Sequence, residues 1–140
     1  MVEIIVGEKG KGKTTKLIER ANATAKNTDG NVVFLDRDNN KMFDLDKTIR
    51  LVDLGDYNLK SNENFLGFIS GVASQNRDIE YIFIDGFLNV AQIDVNESLE
   101  NTVDQLEDIS DKFNITFVLS VSKAKNEIPD TLTSNIVLAL

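Results

Sequence analysis

Residues 7–14 read Gly-Glu-Lys-Gly-Lys-Gly-Lys-Thr, and the rest of the predicted fold is arranged around this stretch. The residues before it, 1–6, read Met-Val-Glu-Ile-Ile-Val and predict a short buried strand. The residues after it predict a helix over 12–27, which ends in the turn sequence Asn-Thr-Asp-Gly at 27–30. The sequence therefore joins a buried strand to a helix through a turn rich in glycine and lysine.

The glycine-rich turn matches the phosphate-loop pattern G-x-x-x-x-G-K-[ST] at every fixed position. Glycines at 7, 10 and 12 are expected to let the backbone come close to a phosphate group, including through positive φ angles. The turn then enters a helix N-terminus, whose unpaired N–H groups and dipole favour an anion. The alternative is a solvated turn that fits the pattern by chance, and the flanking strand and helix disfavour it.

The pattern gives several side chains of the loop a role. Lys13 is expected to reach the β- and γ-phosphates of a nucleotide, and the Thr14 hydroxyl is expected to bind Mg²⁺. Thr15 is expected to help hold the α-phosphate. For Lys9 and Lys11, solvated loop charges are favoured over a direct ligand role. The predicted phosphate-binding residues are the whole loop and the start of its helix: Gly7, Glu8, Lys9, Gly10, Lys11, Gly12, Lys13, Thr14 and Thr15.

Length and composition limit the classes of protein to consider. At 140 residues with 41% hydrophobic residues, the chain is expected to form one domain, residues 1–140, around a single core. It contains no cysteine and no histidine, which excludes disulfides, thiolate or His-ligated metal sites and any histidine base. Acid–base chemistry must therefore come from carboxylates, lysines, hydroxyl groups or a bound metal.

The formal net charge is −8 and the isoelectric point is about 4.5, which disfavours DNA or RNA as a principal partner. Against this acidic background, four lysines cluster in and after the loop, at 9, 11, 13 and 16. Such a local concentration of positive charge suits a small polyanion. The apolar runs are too short for a membrane span, and no basic segment precedes an apolar run at the N-terminus. A cytoplasmic protein without a membrane partner is expected.

Strands and helices alternate along the rest of the chain. Further buried strands are predicted at 31–36, 81–85, 115–121 and 135–140, and 49–54 is predicted as an additional strand or edge segment. Apolar residues at helical spacing predict helices over 61–76 and 99–113, the second preceded by a capping box at Asp94 and Glu97. This alternation predicts an α/β fold, a three-layer αβα sandwich around a mostly parallel five-stranded sheet.

Acidic residues lie where the predicted strands end, at the rim where parallel sheets bind their ligands. Asp85 ends an apolar strand and is predicted to bind Mg²⁺ through a water, with a strand-capping acid as the alternative. Gly86 follows it, where many ATP hydrolases carry a glutamate, which argues against efficient hydrolysis. Asp36 and Asp38 are candidates for the missing base, although solvated loop acids are an equally good interpretation.

Three further residues lie at this rim. Arg37 is a candidate for neutralising phosphate charge, with a solvated surface arginine as the favoured alternative. Ser120 and Ser122 lie on the same face of their predicted strand, and one of them is expected to sense the γ-phosphate. The predicted catalytic residues are Lys13, Asp85 and Asp36, and the predicted metal ligands are Thr14 and Asp85.

The loop, the strand ending in Asp85 and the strand ending near Ser120 together resemble the P-loop NTPase superfamily. The order of elements is most similar to its RecA-like branch, which implies the sheet order 5-1-4-3-2. Over its whole length the chain resembles small bacterial P-loop proteins that are loosely labelled twitching-motility ATPases or ATP-binding proteins. The guanine-reading motif N-K-x-D is missing, since the sequence Ser-Lys-Ala-Lys at 122–125 lacks its aspartate. The resemblance therefore implies ATP, with Mg²⁺, as the cofactor.

The favoured function is that of an ATP·Mg²⁺-binding protein, a slow ATPase that works as a switch, with a protein partner or as a homo-oligomer. A small-molecule kinase acting on nucleosides or nucleotides is the first alternative, with residues 37–48 or 86–95 as its lid. The kinase is weakened by the small number of arginines, at 20, 37, 50 and 77. A nucleotide-binding adaptor that does not hydrolyse ATP is the second alternative, and Gly86 favours it.

Overall fold

The computed structural model describes residues 1–93 and 98–140. Over these residues the chain forms six strands: β1 (Val2–Val6), β2 (Asn31–Asp36), β3 (Arg50–Asp53), β4 (Ile79–Ile84), β5 (Thr116–Val121) and β6 (Ile136–Ala139). It also forms four α-helices, α1 (Lys13–Asn27), α2 (Asn62–Gln75), α3 (Phe87–Val90) and α4 (Leu99–Phe113). Short 3-10 turns lie at Met42–Asp44, Leu54–Asp56, Lys125–Glu127 and Asp130–Asn135. The helices and strands predicted from the sequence are all present, with ends that differ by at most two residues.

The six strands form one sheet in the order β3-β2-β4-β5-β1-β6, and every pair of neighbours is parallel. The prediction of a five-stranded sheet is therefore wrong, because β3 is a sixth strand that pairs with β2 at the edge. The four residues of β3 are exposed or only partly buried. Because such a strand does not need a continuous apolar run, its sequence predicts a strand only weakly. With β3 set aside, the other five strands follow the order 5-1-4-3-2 that the resemblance implied.

Helices cover both faces of the sheet, which gives the three-layer αβα arrangement expected from the sequence. On one face, Leu17 and Ala21 of α1 share an apolar core with Phe34 of β2. On the other face, Phe65 of α2 and Leu106 of α4 share a larger core with residues of β4 and β5. The central strands read as nearly continuous apolar runs because both of their faces are buried.

Serine side chains mark the beginnings of the two helices on the second face. The hydroxyl of Ser61 accepts a hydrogen bond from the backbone N–H of Asn64 at the start of α2. The hydroxyl of Ser98 accepts one from the N–H of Asn101 at the start of α4. The capping box predicted at 94–97 lies outside the described residues, and the N-cap of α4 is Ser98.

The helices are short and amphipathic. The longest two, α1 and α4, have 15 residues each. In the part of the chain that the structure describes, no helix has the length and apolar character needed to cross a membrane.

The carboxyl ends of β1, β2, β4 and β5 lie at one rim of the sheet, because all of these strands run in the same direction. The backbone N–H of Asp85, just after β4, donates to the carbonyl oxygen of Leu35 near the end of β2, at 3.0 Å. The carboxyl ends of these two strands are therefore neighbours. The loops that follow the strands meet at this rim, as predicted.

Candidate functional site

The phosphate-loop residues form the connection between β1 and α1. Gly10 and Gly12 have φ angles of 87° and 94°, in the left-handed region that side chains disfavour, and Gly12 is the N-cap of α1. A Cβ at either position would meet no atom within 4 Å, so the backbone angle itself requires glycine there. The expected positive φ is absent at Gly7, where an added Cβ would lie 3.1 Å from Cβ of Leu140. Close approach of Leu140 explains glycine at that position.

Lys13 is the first residue of α1, and its side chain folds back over the loop. Its Nζ donates a hydrogen bond to the carbonyl oxygen of Glu8 at 3.1 Å, and the residue is only 8% exposed. The N–H of Lys11 donates to the same carbonyl at 3.3 Å, which closes the loop. Burial lowers the pKa of the Lys13 ammonium, and the nearby carboxylate of Asp85 acts in the opposite direction. A partly desolvated cation at a helix N-terminus is suited to binding an anion.

Asp85 directly follows β4 and is the centre of a hydrogen-bond network. Thr14, in the first turn of α1, donates its hydroxyl to Oδ2 and Oδ1 of Asp85 at 3.0 and 3.3 Å. Ser120, in β5, donates its hydroxyl to Oδ1 of Asp85 at 2.6 Å and accepts the backbone N–H of Gly86 at 2.8 Å. Residues from a helix and two strand ends thus fix the orientation of one buried carboxylate.

A second buried carboxylate, Asp36, ends β2 beside Asp85. Its Oδ1 accepts the backbone N–H of Arg37 at 2.7 Å, and its Oδ2 accepts Nζ of Lys41 at 2.6 Å. Burial raises the pKa of the Asp36 carboxyl above its usual range, while the hydrogen bonds from Lys41 and Arg37 act to lower it. Burial alone would lower the pKa of Lys41, but the bond to Asp36 and the nearby carboxylates outweigh it and raise that pKa. Lys41 therefore carries its positive charge at neutral pH.

These groups line one cleft of about 590 Å³ at the sheet rim. Its lining comes from the loop after β1 and the start of α1, from the end of β2 and the loop after it, from α3 and the residues around it, and from the end of β5: Lys9, Lys13, Thr14, Asp36, Arg37, Asp38, Lys41, Asp85, Gly86, Leu88, Asn89, Ile93, Ser120 and Ser122. The cleft therefore brings together the three predicted catalytic residues and both predicted metal ligands. The other predicted phosphate-binding residues do not line the cleft: Gly7, Glu8, Gly10, Lys11, Gly12 and Thr15.

A larger groove of about 720 Å³ lies at the amino ends of β2 and β3. Arg50 is the only charged residue in its lining. Because its lining contains no lysine and no carboxylate, the groove lacks the paired charges of the rim cleft.

Ser120 and Ser122, which were predicted to share one strand face, have different environments. Ser120 lies in β5 and is bonded to Asp85, whereas Ser122 follows the end of β5 and is exposed. Ser120 therefore positions a carboxylate. A direct phosphate contact by Ser122 stays a prediction.

Lys41 is the cleft residue that the sequence interpretation missed. It lies in the polar stretch 37–46, where it is the only lysine and follows Arg-Asp-Asn-Asn at 37–40. A single lysine shortly after the strand-ending Asp36 is the only sequence signal of its position. That signal is weak, because most lysines in such loops are solvated.

The chemistry of the Thr14–Asp85 pair fits a magnesium ion shared with a phosphate ligand. Mg²⁺ prefers oxygen ligands and usually keeps several waters or substrate oxygens among them. Among residues 1–93 and 98–140, no three Asp, Glu, His or Cys side chains are grouped closely enough to hold a metal by themselves. The donor set therefore fits a metal that binds together with phosphate groups better than one held by a protein cage.

No protein family matches the chain, and no curated protein matches it. Among solved structures, it is similar to the flagellar accessory protein FlaH from Methanocaldococcus jannaschii, with a TM-score of 0.59 and 16% sequence identity. The similarity covers 95% of this chain but 65% of FlaH, so the chain spans less than two thirds of that protein's length. At this identity the likeness concerns the fold alone, an α/β fold with a parallel sheet and helices that is consistent with a RecA-like arrangement.

Proposed function

We propose that this protein binds ATP together with Mg²⁺ in the rim cleft and hydrolyses it slowly, as a switch or in assembly with a protein partner. The observation that carries the proposal is the contact between the Thr14 hydroxyl and the Asp85 carboxylate, next to the buried ammonium of Lys13. Oxygen ligands for a metal and a cation for phosphate thus lie at the N-terminus of one helix. The positive end of the α1 dipole adds to their attraction for a polyphosphate.

Each residue of the site has a distinct role in this proposal. Lys13 exchanges its bond to the Glu8 carbonyl for the β- and γ-phosphates, while the backbone N–H groups of residues 7–12 surround the phosphates. Thr14 and Asp85 are the residues that would hold the metal. When bound, Mg²⁺ neutralises negative charge on the phosphoryl oxygens. The hydrogen bond from Ser120 keeps Asp85 in its orientation.

Two observations support slow rather than efficient hydrolysis. The residue after Asp85 is Gly86, with a φ of 61°, so no carboxylate follows the predicted metal-side acid. Asp36, the predicted substitute base, has one oxygen bonded to the N–H of Arg37 and the other to Lys41. Both hydrogen bonds act to lower the pKa of the Asp36 carboxyl, so they weaken its oxygens as acceptors of a water proton and slow general-base catalysis.

A nucleotide-binding protein that does not hydrolyse ATP is a second candidate, and the same Gly86 favours it. The kinase alternative has less support, because a phosphoryl-transfer site uses several positive groups to clamp phosphates. Arg37 is the one arginine in the lining of the described cleft. Arg20 lies in the middle of α1 and is paired with Glu3.

Calorimetry with ATP, GTP and Mg²⁺ tests binding, and a phosphate-release assay tests hydrolysis. Lys13→Ala should weaken ATP binding by roughly tenfold or more, because a charge-assisted bond to phosphate is lost. Lys26→Ala removes an exposed lysine from the last turn of the same helix and should bind ATP as the wild type does. The proposal is refuted if ATP·Mg²⁺ neither releases heat nor raises the melting temperature of the wild type. Binding without phosphate release over hours would select the non-hydrolysing candidate.

A further inference from the structure

The side chain of Lys41 lies between the two carboxylates at the rim. Its Nζ is 2.6 Å from Oδ2 of Asp36 and 3.7 Å from Oδ2 of Asp85. The carboxylate side chains are almost fully buried, with exposed fractions of 7% for Asp36 and 9% for Asp85. Two buried like charges destabilise a fold unless a cation compensates them. Lys41 supplies this compensation by direct ion pairs with both carboxylates. The Lys13 ammonium also attracts Asp85, but its hydrogen bond goes to the Glu8 carbonyl.

Lys41 compensates Asp85 at the atom that the proposed metal would use. The Thr14 hydroxyl donates to the same Oδ2 of Asp85. A divalent ion held by Thr14 and Asp85 would place two positive charges close to the Lys41 ammonium. Coulomb repulsion would then disfavour the present position of the ammonium beside Asp85. A nucleotide in the same cleft also brings the negative charge of its phosphates within reach of Lys41. Both effects favour a change of partner for this side chain.

The segment that carries Lys41 is anchored on either side of it. Before it, Asp36 ends β2; after it, the side chain of Asn22 in α1 bonds the carbonyl of Asp44 at 2.9 Å and the N–H of Asp46 at 2.7 Å. Between these anchors, Met42 and Phe43 are 49% and 91% exposed. Few packing contacts therefore oppose a shift of residues 41–43 while the anchors stay in place.

We infer that Lys41 is an internal counter-ion that neutralises Asp36 and Asp85 in the nucleotide-free protein and transfers its ammonium to the terminal phosphate of a bound nucleoside triphosphate. The inference rests on the proposed function and adds the residue that distinguishes ATP from ADP, since a diphosphate lacks the group that attracts Lys41. The exposed side chain of Phe43 moves with Lys41 and changes its environment according to the nucleotide that is bound.

Calorimetry with ATP and with ADP, each with Mg²⁺, tests the transfer to phosphate. The wild type should prefer ATP, and Lys41→Gln should reduce the ratio of the two affinities by roughly tenfold or more, because one charge-assisted hydrogen bond is lost. Lys41→Arg, which keeps the charge, should retain most of the preference. Lys47→Gln removes an exposed lysine that follows the Asp46 anchor and does not line the cleft, and it should leave the preference unchanged. An unaltered preference in Lys41→Gln would overturn the inference.

Thermal unfolding with Mg²⁺ alone tests the counter-ion role without any nucleotide. Lys41→Gln leaves Asp36 and Asp85 without their ammonium, so Mg²⁺ should raise the melting temperature of this variant. The wild type and Lys47→Gln keep the ammonium in place and should respond much less. The same response to Mg²⁺ in all three proteins would show that Lys41 does not stand in for the cation.

Phe43→Trp gives a third measurement in a protein that keeps Lys41. The chain contains no tryptophan, so tryptophan emission comes from this position alone. ATP·Mg²⁺ should change the emission and ADP·Mg²⁺ should leave it close to that of the nucleotide-free protein. If Lys41→Gln does not fold, the Phe43→Trp protein tests the transfer of the Lys41 ammonium instead. Identical emission spectra with ATP and ADP would contradict that transfer. If no protein binds a nucleotide, the proposed function fails, while the magnesium experiment still decides the counter-ion role.

Discussion

The hydroxyl of Thr14 lies 3.0 Å from Oδ2 of Asp85, although 71 residues separate the two in the sequence. Thr14 follows β1 and Asp85 follows β4, and the sheet order places β5 between these strands. The contact therefore reaches across the end of β5, and Ser120 of that strand bonds the same carboxylate. The strand order thus sets the geometry of the site, and each member of this network can be tested separately.

Asp85→Asn should make ATP binding nearly independent of Mg²⁺. The amide can still accept the hydrogen bond from Thr14, but it lacks the negative charge that attracts a metal ion. We expect removal of Mg²⁺ by EDTA to weaken ATP binding to the wild type by roughly tenfold or more, and binding to the variant by far less. Calorimetry with and without EDTA measures both. Asp29→Asn, at an exposed turn position, should behave as the wild type does. An undiminished magnesium effect in Asp85→Asn would exclude Asp85 from the metal site.

Ser120→Ala should destabilise the fold by about 1–3 kcal/mol, because it removes a donor to a buried carboxylate and leaves the N–H of Gly86 without its acceptor. Urea denaturation measures the free energy of unfolding. Ser122→Ala is the matched control, since this serine is exposed and lies beyond the end of β5, and its effect should be within about 0.5 kcal/mol. Equal effects of the two substitutions would mean that the Ser120–Asp85 bond contributes little.

The fold was predictable where the strands are buried on both faces. Residues 31–36, 79–84 and 116–121 are almost continuously apolar, and their boundaries were predicted to within two residues. β3 was left open between a strand and an edge segment, because its sequence Arg-Leu-Val-Asp is short and only partly buried. An edge strand has one strand neighbour and less packing, so its sequence is less constrained than that of a central strand.

The position of the candidate site was predictable where a local pattern points to it. The spacing within residues 7–15 predicts a loop between a strand and a helix, and the acid at the end of an apolar strand predicts that Asp85 lies at the rim; the structure has both features. The binding roles of these residues stay predictions. Lys41 has no such pattern, because its place between Asp36 and Asp85 depends on how the loop after β2 folds back over the rim. Groups brought together only by tertiary packing leave no fixed spacing in the sequence.

The stability contributed by Asp36 should decrease as the pH rises. Burial raises the pKa of this carboxyl above its value of 3.8 in the unfolded chain, so the folded protein binds the proton more tightly. The contribution is complete below the unfolded pKa and is lost as the pH rises through the higher pKa of the folded state. The Asp36→Asn variant has no carboxyl group at this position, so it lacks this pH-dependent contribution. Between about pH 3 and pH 7 its free energy of unfolding should therefore increase relative to that of the wild type.

Urea denaturation at several pH values provides the measurement for Asp36. Asp38→Asn is a suitable control, because Asp38 lies in the same loop and is less buried. The difference between the two variants isolates the contribution of the buried Asp36 carboxyl. A curve for Asp36→Asn that runs parallel to that of the wild type would show that the folded protein does not hold the Asp36 proton more tightly than the unfolded chain.

Gly86→Ala should destabilise the protein although the added methyl group has room. Gly86 has a φ of 61°, and a Cβ there would meet no atom within 4 Å, so the cost is the left-handed backbone angle, about 1–2 kcal/mol. Gly67 provides the matched control, because it is an exposed glycine within α2 with equal room for a Cβ. Gly67→Ala should stabilise the protein by about 0.5–1 kcal/mol through the higher helix propensity of alanine.

The two glycine substitutions make the same chemical change, so opposite signs in urea denaturation isolate the effect of the backbone angle. A stable Gly86→Ala variant would show that the angle relaxes easily and that a glutamate could be accommodated after Asp85. If Gly86→Ala is destabilised as expected, Gly86→Glu should be destabilised by at least as much, because the glutamate meets the same strain at Cβ. In that case the turn after β4, which the N–H of Gly86 ties to Ser120, disfavours the glutamate that many ATP hydrolases carry at this position. Slow or absent phosphate release would then follow from the backbone of this turn.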